Sequence, residues 1–253
     1  MINKNYGFMV DNYFMVHMVF WLFLHGSDKT GVLDFMVKIP LLSFADLAQV
    51  RRSETLERKI ERILHGERDS IPIHYPLIRY GIKRYCFTGF HPDVLDALQT
   101  RVADYVPTTE FERGEKTNCL MAIGLALSMP RPAFPNIIFD RGETIDLNIG
   151  GIILHVVTDA TLSWTDVDGV VHVGAIKTKI KKGNYSRESA EMVACLLEEA
   201  MRVMHPDAVV DPQLCLCYDV FRQRLVPAFN LSQNLERAQR VAEMIASRGD
   251  LAA

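Results

Sequence analysis

Residues 152–182, IILHVVTDATLSWTDVDGVVHVGAIKTKIKK, decide how this chain is read. The stretch divides into two β-rich arms about Val167-Asp168-Gly169, where a glycine able to take positive φ suits a three-residue hairpin loop with a bulge. With that loop, paired position numbers sum to 336. Asp159 on one arm then lies opposite Lys177 on the other, with Cβ atoms about 5 Å apart. By the same sum His172 faces Trp164 and His155 faces position 181, with His155 also four residues from Asp159 on one strand face. Cross-strand ion pairs on solvated sheets are common and contribute little. Residues 152–157 are nearly all apolar, however, as in a central strand covered on both faces. An acid at the end of such a strand is expected in a cleft.

Composition bounds the rest. A chain of 253 residues with 49% hydrophobic side chains forms one large domain or two small ones with a real core. A net charge of −3 carries no global sign of nucleic-acid binding, so any basic surface is local. The cysteine count of five is odd and lacks the spacing of a disulfide framework. Cys215 and Cys217 share a strand face as small hydrophobes, with no second pair to complete a metal site. Reduced thiols and a cytoplasmic location are the simple expectation. Residues 13–24, YFMVHMVFWLFL, are intensely apolar but too short to span a bilayer, and residues 25–27 offer no convincing leader cleavage site. Residues 1–35 read either as a membrane-touching or partner-docking extension or as the product of a start assigned too early, with Met36 the true start; the second fits better. No membrane partner is expected unless that extension is real.

Residues 36–107 read as a mainly helical N-terminal region. Ser43 and Ser53 are candidate caps, and Leu56, Ile60, Ile63 and Leu64 form a helical stripe opposite mixed charges. Residues 80–90 alternate basic and aromatic side chains, the pattern of an edge strand or of a segment lying on a nucleic-acid backbone. Pro92 opens a helix to about 102. Residues 108–253 read as an α/β unit. A helix over 115–129 precedes a β meander from 136, in which the strand starting at Thr144 continues past Gly150-Gly151. The hairpin follows, then a helix over 187–204 capped by Ser186, strands over 214–220 and 224–229, and a helix over 232–246.

That order, with an Asp on the second strand and a Lys on the third, resembles the PD-(D/E)XK nuclease-like superfamily over about residues 110–250. The resemblance implies a restriction-endonuclease-like fold, a mixed central β-sheet flanked by helices. It implies a Mg²⁺-dependent nuclease in which Asp159 is the metal ligand and Lys177 stabilises developing charge. Divalent-ion phosphodiester hydrolysis needs hard oxygen ligands, typically one or two carboxylates beside water and phosphate. Where the family has its second acid this chain has Ala175. Glu191 on the following helix and Glu115 on the preceding one are the candidates for a displaced acid. The alternative is a catalytically inactive nucleic-acid-binding or protein-interaction module that keeps the fold. Lys177, Lys179 and Lys181 share a strand face if the strand persists. With Lys182 they form either a blocked sheet edge or a phosphate track, to which Asn184 and Tyr185 add stacking. No GxSxG, HExxH, Walker A or GxGxxG sequence occurs, so serine hydrolase, zincin, NTPase and dinucleotide readings lack their signatures.

Overall fold

A computed structural model describes residues 37–64, 75–132, 136–182 and 186–252. The apolar N-terminal stretch, Asn184 and Tyr185 lie outside the described residues. The hairpin forms as its loop chemistry dictates. Strands β5 (Ala160–Thr165) and β6 (Val171–Lys179) pair antiparallel, with Ala160 opposite Ile176 and Trp164 opposite His172. Gly169 takes φ 79° in the loop, and the Asp166 carboxylate accepts the backbone N–H groups of Asp168 and Val170, each at 2.9 Å.

Upstream the chain departs from expectation. Strand β3 (Thr144–Ile149) does not run past Gly150-Gly151. Those glycines, at φ 53° and 83°, turn it back into β4 (Ile152–Val157). Two successive positive φ values suit the tight hairpin turns whose twist matches that of paired strands. Strand β2 (Ile138–Arg141) pairs with β5 in the register that also joins β3 to β4. The four segments are therefore two long arms of one β-ribbon, bent at residues 142–143 and 158–159. Below the bend the arms join a five-stranded sheet ordered β2-β5-β6-β7-β8, in which β7 spans Val209–Asp219 and β8 spans Arg224–Pro227. Above it they join a three-stranded sheet ordered β1-β4-β3, where β1 (Lys38–Pro40) pairs parallel with β4. His155 consequently faces Asp146 on β3 and not position 181, because the bend carries β4 out of the sheet that holds β6. Gly142 makes the bend sterically feasible: a Cβ there would lie 2.1 Å from the Thr158 carbonyl oxygen.

Strand β6 connects through helix α6 (Arg187–Met204) to β7 (Val209–Asp219), which runs parallel to β6 and then pairs with β8 (Arg224–Pro227). Ser186 caps α6 by accepting the Ser189 N–H, as expected. This helix is enclosed on most sides, against β6 and β7 and against α1 (Leu41–Ala48) and α7 (Leu231–Ala252). Its Val193, Ala194 and Leu197 share a core with Val173, Ala175, Cys215 and Cys217 of the five-stranded sheet, with α2 (Ser53–Leu64) at its margin. The sheet's other face holds a second core against α3 (Pro76–Phe87), α4 (Pro92–Asp104) and α5 (Glu110–Leu127). Residues 80–87 are thus helical, not extended, because Ile78, Ile82, Tyr85 and Cys86 form a buried stripe at helical spacing. Helix α5 starts before Glu115 because Thr109 and Glu112 form a reciprocal capping box.

The mainly helical region 36–107 is built into the α/β unit, not set apart from it: β1 extends one sheet, α1 packs on α6, and α3 packs on α4, β2 and β5. The architecture is α/β, with mixed sheets flanked by helices. No helix among the described residues is long and apolar enough to cross a membrane.

Candidate functional site

The bend that separates the two sheets places Asp159. Its N–H donates to the Ile176 carbonyl at 2.8 Å, beginning the β5–β6 ladder, and its side chain is fully buried. Oδ1 receives the Lys83 ammonium of α3 at 2.8 Å and the Lys177 ammonium at 3.3 Å. Oδ2 receives the Thr178 N–H at 2.8 Å and the Thr178 hydroxyl at 2.5 Å. Lys177 also donates to the Val157 carbonyl at 2.5 Å, so one ammonium ties the end of β4 to the start of β5. A carboxylate offers about four lone-pair directions. All four are occupied here by protein donors.

Burial alone would raise the Asp159 carboxyl. The Lys177 and Lys83 ammoniums, with hydrogen bonds from Lys83 and Thr178, outweigh it and hold the group below the usual carboxylate range. Burial pushes the Lys177 ammonium down, helped by the charges of Lys83 and Arg79 and opposed by Asp159. The cluster therefore sets Lys83 and Lys177 against a single acid. Thr178 and Lys83 were not legible beforehand as partners of this acid. Lys83 arrives only through the packing of α3 on the sheet, and the one local hint was the hydroxyl beside Lys177.

A second ionic cluster lies on the α6 side of β6. Lys179, with 4% of its side chain exposed, lies 3.5 Å from Asp46 Oδ1 of α1. The Ser189 hydroxyl donates to the same oxygen at 3.0 Å, and Lys181 lies 3.7 Å from Oδ2. Burial pushes Asp46 up to about 6, against the lowering effects of Lys181 and Ser189. Burial likewise pushes Lys179 down to about 7, against the raising effects of Cys217 and Asp219. The expected track of Lys177, Lys179 and Lys181 is corrected by this arrangement. Lys179 is a core cation, β6 ends at that residue, and Lys181 belongs to the connection beyond it.

The remaining candidates have other partners. Glu115 accepts the backbone N–H of Tyr75 at 2.9 Å, and Glu191 pairs with Arg187 at 2.8 Å. Lys182 donates to the Asn118 side-chain oxygen at 3.2 Å. His155 contacts the Asp146 carboxylate at 2.7 Å instead of approaching Asp159. Ala175 is fully buried in the core against α6, opposite Cys215. Among the described residues no group of three His, Cys, Asp or Glu side chains is arranged to hold a metal. No protein-family model, curated protein or solved structure matches the chain.

Proposed function

We propose that this chain is a nuclease-like module that binds nucleic acid without hydrolysing it. The likeness to the PD-(D/E)XK core is supported by order and pairing. Helix α5, the two ribbon arms, β6, α6 and a parallel β7 follow one another as the family's helix–three-strand–helix–strand core does. Asp159, at the bend in the second of those strands, meets Lys177 on the third.

The saturation of Asp159 carries the silent reading. A Mg²⁺ ion wants oxygen ligands with free lone pairs in near-octahedral array. The Asp159 oxygens are taken by two ammoniums, an amide and a hydroxyl. Cation binding would require displacing those donors and placing a divalent charge beside Lys83 and Lys177. Ala175 supplies no second carboxylate, so the donor set does not fit the ion the family uses. What the cluster offers a ligand is positive charge: it holds more cation than acid, the balance that attracts phosphodiesters.

Titration calorimetry with Mg²⁺ and Mn²⁺, run beside cleavage of end-labelled oligonucleotides, tests the reading. The expected result is no binding heat at millimolar ion and no cleavage, with retention of an oligonucleotide in the same buffer. Metal-dependent cleavage that disappears in Asp159→Ala would overturn it in favour of a working nuclease.

A further inference from the structure

Helix α3 shows two faces of opposite character. Ile78, Ile82, Tyr85 and Cys86 are fully buried, while residues 79, 80, 83, 84 and 87 recur at the spacing of one outward stripe. That stripe carries Arg79, Tyr80, Lys83, Arg84 and Phe87, and the helix contains no acid, in a chain whose net charge is −3. Arg79 and Arg84 are exposed and Tyr80 is 52% exposed. The Arg141 guanidinium of β2 lies over the Phe87 ring, 5.7 Å from its centroid, and extends the basic row. Among the described residues Arg79, Arg84 and Arg141 have no carboxylate partner. On α2 and α7, by contrast, Arg58 lies by Glu54, and Arg248 by Glu57 and Glu61. Lys83 reaches an acid only by sharing Asp159 with Lys177.

We infer that this face of α3 holds a single-stranded nucleic acid, with phosphates on Arg79, Arg84 and Arg141 and a base stacked on Tyr80. The inference rests on the nucleic-acid-binding reading above and names its surface. Guanidiniums without carboxylate partners, on and beside a helix that carries no acid, match a row of phosphates, which they contact by paired N–H donors. The stripe from residue 79 to 87 runs about 12 Å along the helix, room for successive phosphates of one strand. An aromatic ring set among those cations has little to contact in a duplex, whose bases are stacked inside. It has a partner in an unpaired base, whose π-face any sequence supplies. Arg141 stacked on Phe87 offers a second flat surface at the other end.

Fluorescence polarisation of labelled 20-mers of dT and of U against the full chain tests this, in a salt series and beside a duplex of equal length. The wild type is expected to bind the single strands more tightly than the duplex, and the two 20-mers tell DNA from RNA. Arg79→Ala with Arg84→Ala should weaken binding at least tenfold and reduce the log–log salt slope by about 1.4, from about 0.7 per phosphate contact. Tyr80→Ala should weaken binding about fivefold or more with the slope unchanged. Arg58→Ala with Arg62→Ala on α2 should leave affinity as it was. If the wild type binds and the α3 variants bind equally well, the surface assignment falls while the binding function stands. If no oligonucleotide binds at 50 mM salt, both fall; binding to phosphatidylserine vesicles instead would point to a membrane surface. A tenfold preference for duplex would overturn the single-strand assignment. All substituted side chains are exposed, and unchanged thermal melting will show that the variants fold.

Discussion

Asp159 tests whether a buried carboxylate can be a structural hub instead of a ligand. Its removal strands two ammoniums, one almost enclosed, with Lys177 side-chain exposure of 12% and Lys83 of 33%. Breaking a buried pair from one side commonly costs about 3–5 kcal/mol, because the remaining charge stays uncompensated. Asp159→Ala is therefore expected to lose about that much in urea unfolding. Lys83→Met should lose only about 1 kcal/mol, since Lys83 is partly solvated and Lys177 and Thr178 still serve the carboxylate. Equal losses from the two substitutions would contradict the ranking. The Asp159–Lys177 contact was legible because a three-residue loop fixes register, and register fixes neighbours. The partners Lys83 and Thr178 were not. One depends on a helix more than seventy residues away in sequence, the other on how the chain twists at the bend. That Ala175 lies in the core against α6, where a carboxylate would be enclosed, was not legible either, because it depends on which face of β6 the helix covers.

Among the elements, boundaries set by local chemistry were readable and those set by partner choice were not. Helix α6 runs over the expected residues because Ser186 caps it and its apolar residues keep helical spacing. The Gly150-Gly151 turn was misread as a continuing strand because glycine weakens a strand and also builds a turn, and only pairing decides between them. Periodicity along 152–161 likewise could not reveal that one arm serves two sheets. Residues 80–90 showed an alternation that suits a strand, while the buried spacing of Ile78, Ile82 and Tyr85 suits a helix and prevailed. Two glycine substitutions at this scale should move stability in opposite directions. Gly142→Ala drives a Cβ into the Thr158 carbonyl at the bend, where backbone cannot yield cheaply, and should cost about 1–3 kcal/mol. Gly114→Ala in α5 meets nothing within 4 Å and should add roughly 0.5–1 kcal/mol through helix propensity. Thermal melts of both variants check the signs; a stabilised Gly142→Ala would mean the arms are not pressed together at the bend.

At the scale of the whole molecule, the Asp46–Lys179 pair joins the first helix of the described chain to the central strand and, through Ser189, to the enclosed helix α6. Neither its partners nor its burial could be read from sequence, because Lys179 sits in a run of lysines that looks like surface. The pair should write a characteristic pH dependence into global stability. Asp46 titrates near 6 in the fold and near 3.8 unfolded. Between those values the folded state holds the extra proton, so this contribution to stability is present at low pH and lost as pH rises towards 6. Lys179 titrates near 7 in the fold and near 10.5 unfolded. Between those values the unfolded state holds the extra proton, so stability rises with pH across 7–10, by at most about 1.4 kcal/mol per pH unit. The pair's contribution is thus lowest between pH 6 and 7, where both groups tend to be charged in a poorly solvated place. Asp46→Asn with Lys179→Met removes both charges together. It should flatten the rise above pH 7 and make the protein more stable at pH 7, within the ~1–4 kcal/mol seen when buried ion pairs become neutral. Urea midpoints of wild type and double variant at pH 5, 7 and 9 decide it. Parallel curves would show that Lys179 keeps an ordinary pKa, and that the link between α1 and β6 is an unperturbed ion pair.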